Sequence, residues 1–388
     1  MRASTVLRTV LLSASFLTLV ACASTDSDAA ASGAAVVANP ESTGPGADAT
    51  DARVPELGAD PTIVQQAKVS MTDGFAKASA SGAIIEAKYE IGDDGKLSLS
   101  VYPAGKGVGV DAEQNVFQEL SGDPTASPFA GSLETFADTD REHLVRSTRD
   151  LTLVQLSKIS LEEAVAQASM NGALVYWAIP TIKHGRAGYG IYTLVSGKPR
   201  YDFIDGGGSM SSTVASLTDL GPTPGDKASD ARSPELGTDV TIVESAKIKM
   251  SDALERAEAK YGPTIEAKFE LGDDGKLSLS VYPIAKALDM DAERNGFREL
   301  AGDPTAATWT PALEEFKPED KEHQVRSARD LTIVQTASIS LRSAVDAAEK
   351  AMPGGIVYWA VPTLREARAG FGVYVLGTDK KAHYFFVS

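Results

Sequence analysis

Two of the four histidines in this 388-residue chain stand in the same charged setting twice. Glu142-His143 with Arg146 and Arg149-Asp150 returns as Glu322-His323 with Arg326 and Arg329-Asp330. An imidazole among carboxylates and guanidinium groups is the raw material of general acid–base chemistry or of a metal site. A metal needs several ligands converging, however, and no His-Glu-x-x-His run or other helical ligand pair supplies them. His184 and His383 do not recur at matching positions. The set reads better as a solvated, ion-paired connector, which leaves His143, Arg146, His323 and Arg326 as candidates for a binding surface.

A second set alternates oxygen-bearing side chains: Asp111, Glu113, Asn115 and Glu119, matched by Asp291, Glu293, Asn295 and Glu299. Such alternation suggests a calcium loop, yet an EF-hand needs Gly at its sixth place and a bidentate Glu at its twelfth. The first run has neither, and Gly296 meets one condition in the second. As a connection between strands the segment needs no ion. The third set is aromatic: Tyr176-Trp177 and Tyr358-Trp359. Neighbouring residues on a strand face opposite ways, so one ring of each pair is expected to pack inside and the other to point out, where it would anchor a peptide or sugar. Cross-strand packing accounts for the same rings and is the favoured reading. Neither a Gly-x-Ser-x-Gly elbow nor a phosphate-cradling glycine loop is present. The expectation is a non-catalytic protein with no cofactor and no metal.

The elements that must position these sets are themselves duplicated. Asp51-Ala52-Arg53 returns as Asp230-Ala231-Arg232, and Gly92 to Pro103 returns unchanged as Gly272 to Pro283. The match runs on through Val175-Tyr176-Trp177-Ala178 and Val357-Tyr358-Trp359-Ala360. Inside each long copy lies a weaker repeat, in which Thr62-Ile63-Val64 aligns with Thr152-Leu153-Val154, and Thr241-Ile242-Val243 with Thr332-Ile333-Val334. The chain therefore reads as four units.

Each unit opens with a helical period: Met71, Phe75 and Ala78; Leu161, Val165 and Ala168; Met250, Leu254 and Ala257; Leu341, Val345 and Ala348. Ser160 with Glu163 makes a capping box, and Ser70 with Asp73 is a shorter version. Lys249 breaks that pattern, so the third helix is expected to start on Ser251 or later. The period then switches to two: Ile85, Ala87, Tyr89 and Ile91 alternate with Glu86, Lys88 and Glu90, as in a half-buried strand. Asp94-Gly95 and Asp274-Gly275 turn the chain into a hairpin. A helix lying across a small antiparallel sheet is the expected unit, two units to each long copy, in an α+β fold.

The ends and joints complete the plan. Arg2, Arg8 and the apolar stretch Val10 to Val20 read as a cleaved export signal, too short to span a bilayer. Leu19-Val20-Ala21-Cys22 is similar to a bacterial lipobox, which implies that Cys22, the only cysteine, is acylated. That leaves no thiol nucleophile and no disulfide within one chain. A formal net charge of −16 argues against nucleic acid and against electrostatic adhesion to anionic lipid. Membrane attachment would come from acyl chains on Cys22. The expected domains are a leader (1–21), a tether (22–51), units at 52–140 and 141–205, a linker (206–229), and units at 230–320 and 321–388.

At the helix opening Lys158 to Val165, the strand Ile85 to Glu90 and the Asp-Ala turns Val110 to Asn115 and Met290 to Gly296, the chain resembles the PepSY domain family. Units two and four lack the Asp-Ala turn and look like diverged members. The resemblance implies a small cystatin-like helix-on-sheet fold, found in envelope proteins and in peptidase propeptides, with no catalytic residue to carry over. The expected function is a non-catalytic, lipid-anchored protein of the bacterial cell envelope. It would present tandem binding modules, restraining a peptidase or engaging another envelope or secreted protein. A structural protein self-associating through sheet edges is the alternative, and a metal-dependent enzyme is disfavoured by the missing motifs.

Overall fold

A computed structural model describes residues 53–58, 60–92, 94–208, 216–225, 232–237, 239–272, 274–317 and 319–388. The leader, Cys22 and the tether lie outside these residues. Helix α1 (Met71–Ala78) starts on a capping box in which Ser70 accepts from the Asp73 amide and Asp73 accepts from the Ser70 amide. It buries Met71, Phe75 and Ala78, the stripe its spacing requires. Strand β1 (Ala83–Ile91) then turns at Gly95, whose φ of +75° suits glycine, into β2 (Leu97–Ala104). Two shorter strands follow, β3 (Gln118–Gly122) and β4 (Ser132–Thr135).

The expected connector is instead a 16-residue helix, α2 (Arg141–Leu156). Asp140 caps it, and Glu142 sits in its first turn, where the helix dipole favours a carboxylate. Helix α3 (Leu161–Ser169), with the Ser160–Glu163 capping box, leads into β5 (Leu174–Lys183), β6 (Arg186–Val195) and β7 (Lys198–Asp205).

The second copy repeats this series after a short strand, β8 (Leu217–Asp219). It runs α4 (Met250–Tyr261), β9 (Thr264–Leu271), β10 (Leu277–Pro283), β11 (Arg298–Gly302) and β12 (Ala312–Glu315). It continues through α5 (Lys321–Thr336), α6 (Leu341–Ala351), β13 (Ile356–Arg365), β14 (Arg368–Leu376) and β15 (Ala382–Val387). Helix α4 begins at Met250 with no side-chain cap, so neither Ser251 nor a later residue starts it. Among the described residues no helix is long and apolar enough to cross a membrane.

The fold is α+β, built on two antiparallel sheets, and the two units of each copy share one sheet. The first sheet runs β4-β3-β2-β1-β5-β6-β7, joined at its middle by Ala87 opposite Ala178 and Lys88 opposite Trp177. The second runs β12-β11-β10-β9-β13-β14-β15-β8, joined by Ala267 opposite Ala360 and Lys268 opposite Trp359. Part of the expected linker is therefore structural: Leu217 to Asp219 adds an edge strand to β15. Sharing a sheet lets two units too small to bury much alone close a single core, which reaches from Met71 and Phe75 to Tyr189 and Ile204.

Both faces of the central strands of each sheet are covered. Ile85, Ala87 and Tyr89 face α1 and α3, and the Tyr89 hydroxyl donates to the Val69 carbonyl at 2.6 Å. Glu86, Lys88 and Glu90 face the other way, toward α2. Helices α2 and α5 pack on each other, so they form the middle layer between the two sheets.

Candidate functional site

The charged face of the first sheet meets α2 in a buried polar layer. Arg53 makes a two-pronged pair with Asp150, at 2.8 and 3.0 Å, and reaches Glu86 at 3.2 Å. The Trp177 indole donates to the other Glu86 oxygen at 2.9 Å. Lys88 lies 2.7 Å from both Glu56 and Glu90, with the Tyr102 ring 5.8 Å away. The second copy repeats the layer: Arg232 pairs with Asp330 at 3.0 Å on both prongs, Trp359 donates to Glu266 at 2.7 Å, and Lys268 bridges Glu235 and Glu270. Charges taken out of water must be matched, and here each carboxylate faces a cation or an N–H donor.

Burial and pairing compete in this layer. Burial pushes Asp150 up to about 7 and Asp330 up to about 6, even against Arg53 and Arg232. Burial also pushes Glu86 up, but Arg53 and Lys88 overcome it and its carboxyl lies below the ordinary value. In the same way Glu86 and Glu90 outweigh burial to hold Lys88 above its usual range.

The first two candidate sets of the sequence analysis turn out to be partners of each other across the two copies. Arg146 of α2 donates to Glu293 at 2.9 Å, and Arg326 of α5 donates to Glu113 at 3.1 Å. Arg329 lies 2.9 Å from Asp111. Burial works against the charge on Arg146 and Arg326, yet the facing carboxylates hold both above their ordinary values. Burial outweighs Arg326 at Glu113, whose carboxyl is raised. The connector is ion-paired as expected, with Glu142 and Glu322 in solvent against Arg146 and Arg326, but its arginines are not solvated, because the other copy closes over them.

The remaining members are fixtures of the chain's own turns. His143 Nδ1 lies 2.7 Å from Asp140, the cap of α2, and its ring stacks on Phe136 at 4.6 Å. His323 repeats this with Asp320 and Phe316. Both imidazoles remain part-exposed at helix starts. The Asn115 oxygen accepts from the Lys106 and Val116 amides while its nitrogen donates to the Gly107 and Val110 carbonyls, which staples the turn closed. Asp111, Glu113 and Asn115 therefore point to different partners rather than to one ion. Among the described residues no three His, Cys, Asp or Glu side chains gather as metal ligands.

The aromatic expectation needs correcting. Tyr176, Trp177, Tyr358 and Trp359 are all buried, at 3% exposure or less, so none can anchor a ligand at the surface. The packing is cross-strand: Trp177 stacks on Tyr192 of β6 at 5.0 Å and Trp359 on Tyr374 of β14 at the same distance. The strand register shifts between Val175 and Trp177 and between Val357 and Trp359, so simple alternation is interrupted there and both rings of each pair lie against one tyrosine of the next strand, Tyr192 or Tyr374. A helix at 141–156 is signalled by Asp140 followed by Leu144, Val145, Leu151 and Leu156. These residues fall on more than one helix face, since Leu144 and Leu151 enter one core, Val145 another, and Leu153 and Leu156 a third.

One place left open to solvent in both copies is an end of each sheet. All four residues of β4 and all four of β12 are exposed, and each is the terminal strand of its sheet. Leu133 and Leu313, at matching places, are each 44% exposed. No protein-family model, curated protein or solved structure matches the chain.

Proposed function

We propose that this is a non-catalytic, lipid-anchored protein of the bacterial cell envelope, whose tandem PepSY-like copies bind another envelope or secreted protein, a peptidase among the candidates. The observation that carries the reading is the pair of matching exposed edge strands, β4 and β12, one per copy, each with a leucine standing in solvent. An open edge offers backbone donors and acceptors to an added strand, and a neighbouring exposed apolar side chain adds a contact. Two such edges on one chain would gain from linkage, because binding at one raises the effective concentration at the other. The charged sets that could have suggested catalysis are engaged in holding the copies together, which is consistent with a scaffold for binding. Anchoring rests on the lipobox-like run ending at Cys22, and the net charge of −16 gives no support to nucleic acid as a partner.

The test uses the chain from Ala23 to Ser388 as bait in an envelope extract and as an inhibitor of a thermolysin-like peptidase. Capture or inhibition is expected, and Leu133→Lys with Leu313→Lys should abolish it; retention in that variant refutes the edges as the binding surface. Labelled fatty acid should enter the full chain and not Cys22→Ala. The alternative reading, self-association through the same edges, gains support if the chain captures nothing but forms concentration-dependent oligomers that the lysine variant lacks.

A further inference from the structure

The contact between the copies has the form of a symmetric dimer interface folded into one chain. Arg146 reaches Glu293, and its counterpart Arg326 reaches Glu113, the counterpart of Glu293. Val145 of the first copy is buried in the core of the second, and Val325 of the second is buried in the core of the first. Between these lies a separate apolar cluster to which both copies contribute at matching places, Leu153 beside Ile333 and Ile182 beside Leu364. Each feature occurs twice with the copies exchanged, which is the definition of an isologous contact.

We infer that the face formed by α2 and the Asp111–Asn115 turn is a self-complementary docking surface, and that the partner it fits is a second long copy, on another chain as well as within this one. Every residue the contact needs is present in a single copy. Two N-terminal copies from different chains can set Arg146 of each against Glu113 of the other, with Val145 of each entering the opposite core. Two C-terminal copies can do the same with Arg326, Glu293 and Val325.

What favours closure within the chain is a small set of residues at which the copies have diverged. Arg141 donates to Gln324 at 3.0 Å, and Lys321 pairs with Asp138. The first copy has Leu144 where the second has Gln324, and the second has Pro318 where the first has Asp138. Two N-terminal copies therefore lose the glutamine contact, since Leu144 stands there, although Arg141 can face Asp138 in place of Lys321, and two C-terminal copies lose the Asp138 contact to Pro318. These positions act as the specificity element, while the central pairs and the valines are indifferent to which copies meet.

Charge exchange in the full chain tests this. Glu293→Arg with Arg326→Glu opposes like charges at both contacts inside the chain: the introduced guanidinium faces Arg146, and the introduced carboxylate faces Glu113. The same two substitutions leave both like-with-like pairings complementary. The expected result is a doubling of mass relative to the wild type in sedimentation at micromolar concentration, with a wild-type far-ultraviolet spectrum. Adding Glu113→Arg and Arg146→Glu restores the internal match and should return the mass to the wild-type value. A two-site variant that keeps the wild-type mass overturns the inference. So does one that unfolds, since the cross-chain partner should hold it folded, and so does a four-site variant that stays doubled.

Discussion

Arg326→Ala probes the middle layer most directly. The substitution leaves Glu113, whose side chain is 19% exposed, without the guanidinium 3.1 Å away. Breaking a fully buried pair by removing one partner costs about 3–5 kcal/mol, and an exposed pair is worth about 0–1 kcal/mol. With Arg326 at 14% exposure the pair stands nearer the buried limit, so about 2–3 kcal/mol of the chain's stability should be lost. Most of that loss is the cost of a stranded carboxylate, and Glu113→Gln in the same chain should recover part of it. The double-mutant cycle should give a coupling energy of about 1–2 kcal/mol. Urea unfolding followed by tryptophan emission, with Trp177 reporting on the first copy and Trp309 and Trp359 on the second, supplies all four corners. The same cycle on Arg146 and Glu293 should agree with it, because the geometry is repeated at 2.9 Å. A coupling below about 0.3 kcal/mol in both cycles would refute the claim that these pairs hold the copies together.

Two further outcomes follow from the polar layer. Because folding raises Asp150 to about 7, its contribution to stability is fully present below its unfolded value and is lost as pH rises through about 7. Asp150→Asn should therefore gain on the wild type in urea unfolding between pH 5 and pH 8, and a difference that does not change with pH would contradict the assignment. Trp177→Phe removes the indole donor to the buried Glu86 carboxylate and should cost about 1–3 kcal/mol in denaturant unfolding, with Trp359→Phe similar through Glu266. A loss confined to a few tenths would mean that Arg53 and Arg232 satisfy those carboxylates alone.

Helices α1, α3, α4 and α6 are legible in the sequence because Met71, Phe75 and Ala78 and their counterparts present one apolar stripe to one sheet face, and the caps beside three of the four are local. The hairpins are legible for the same reason, since Asp94-Gly95 and the alternation around it act over a few residues. Helix α2 is not, because an element packed on several sides shows no single stripe, and its arginines look like surface charge until their partners are seen. The candidate sets stand out in the sequence as repeated and charged. Their role does not, since Glu113 and Arg326 are 213 residues apart and nothing local links them.

The sequence by itself determined that this chain is a tandem, where its caps, turns and strand alternation fall, and that the two copies carry matching charged residues. Only the tertiary structure decided that two units share one sheet, that the polar face of each sheet is buried, and that the charged sets of one copy are the counter-ions of the other. The division has a physical cause. Caps and hairpins depend on hydrogen bonds within a few residues, whereas the fate of a charge depends on what is brought against it, and here that is the other copy.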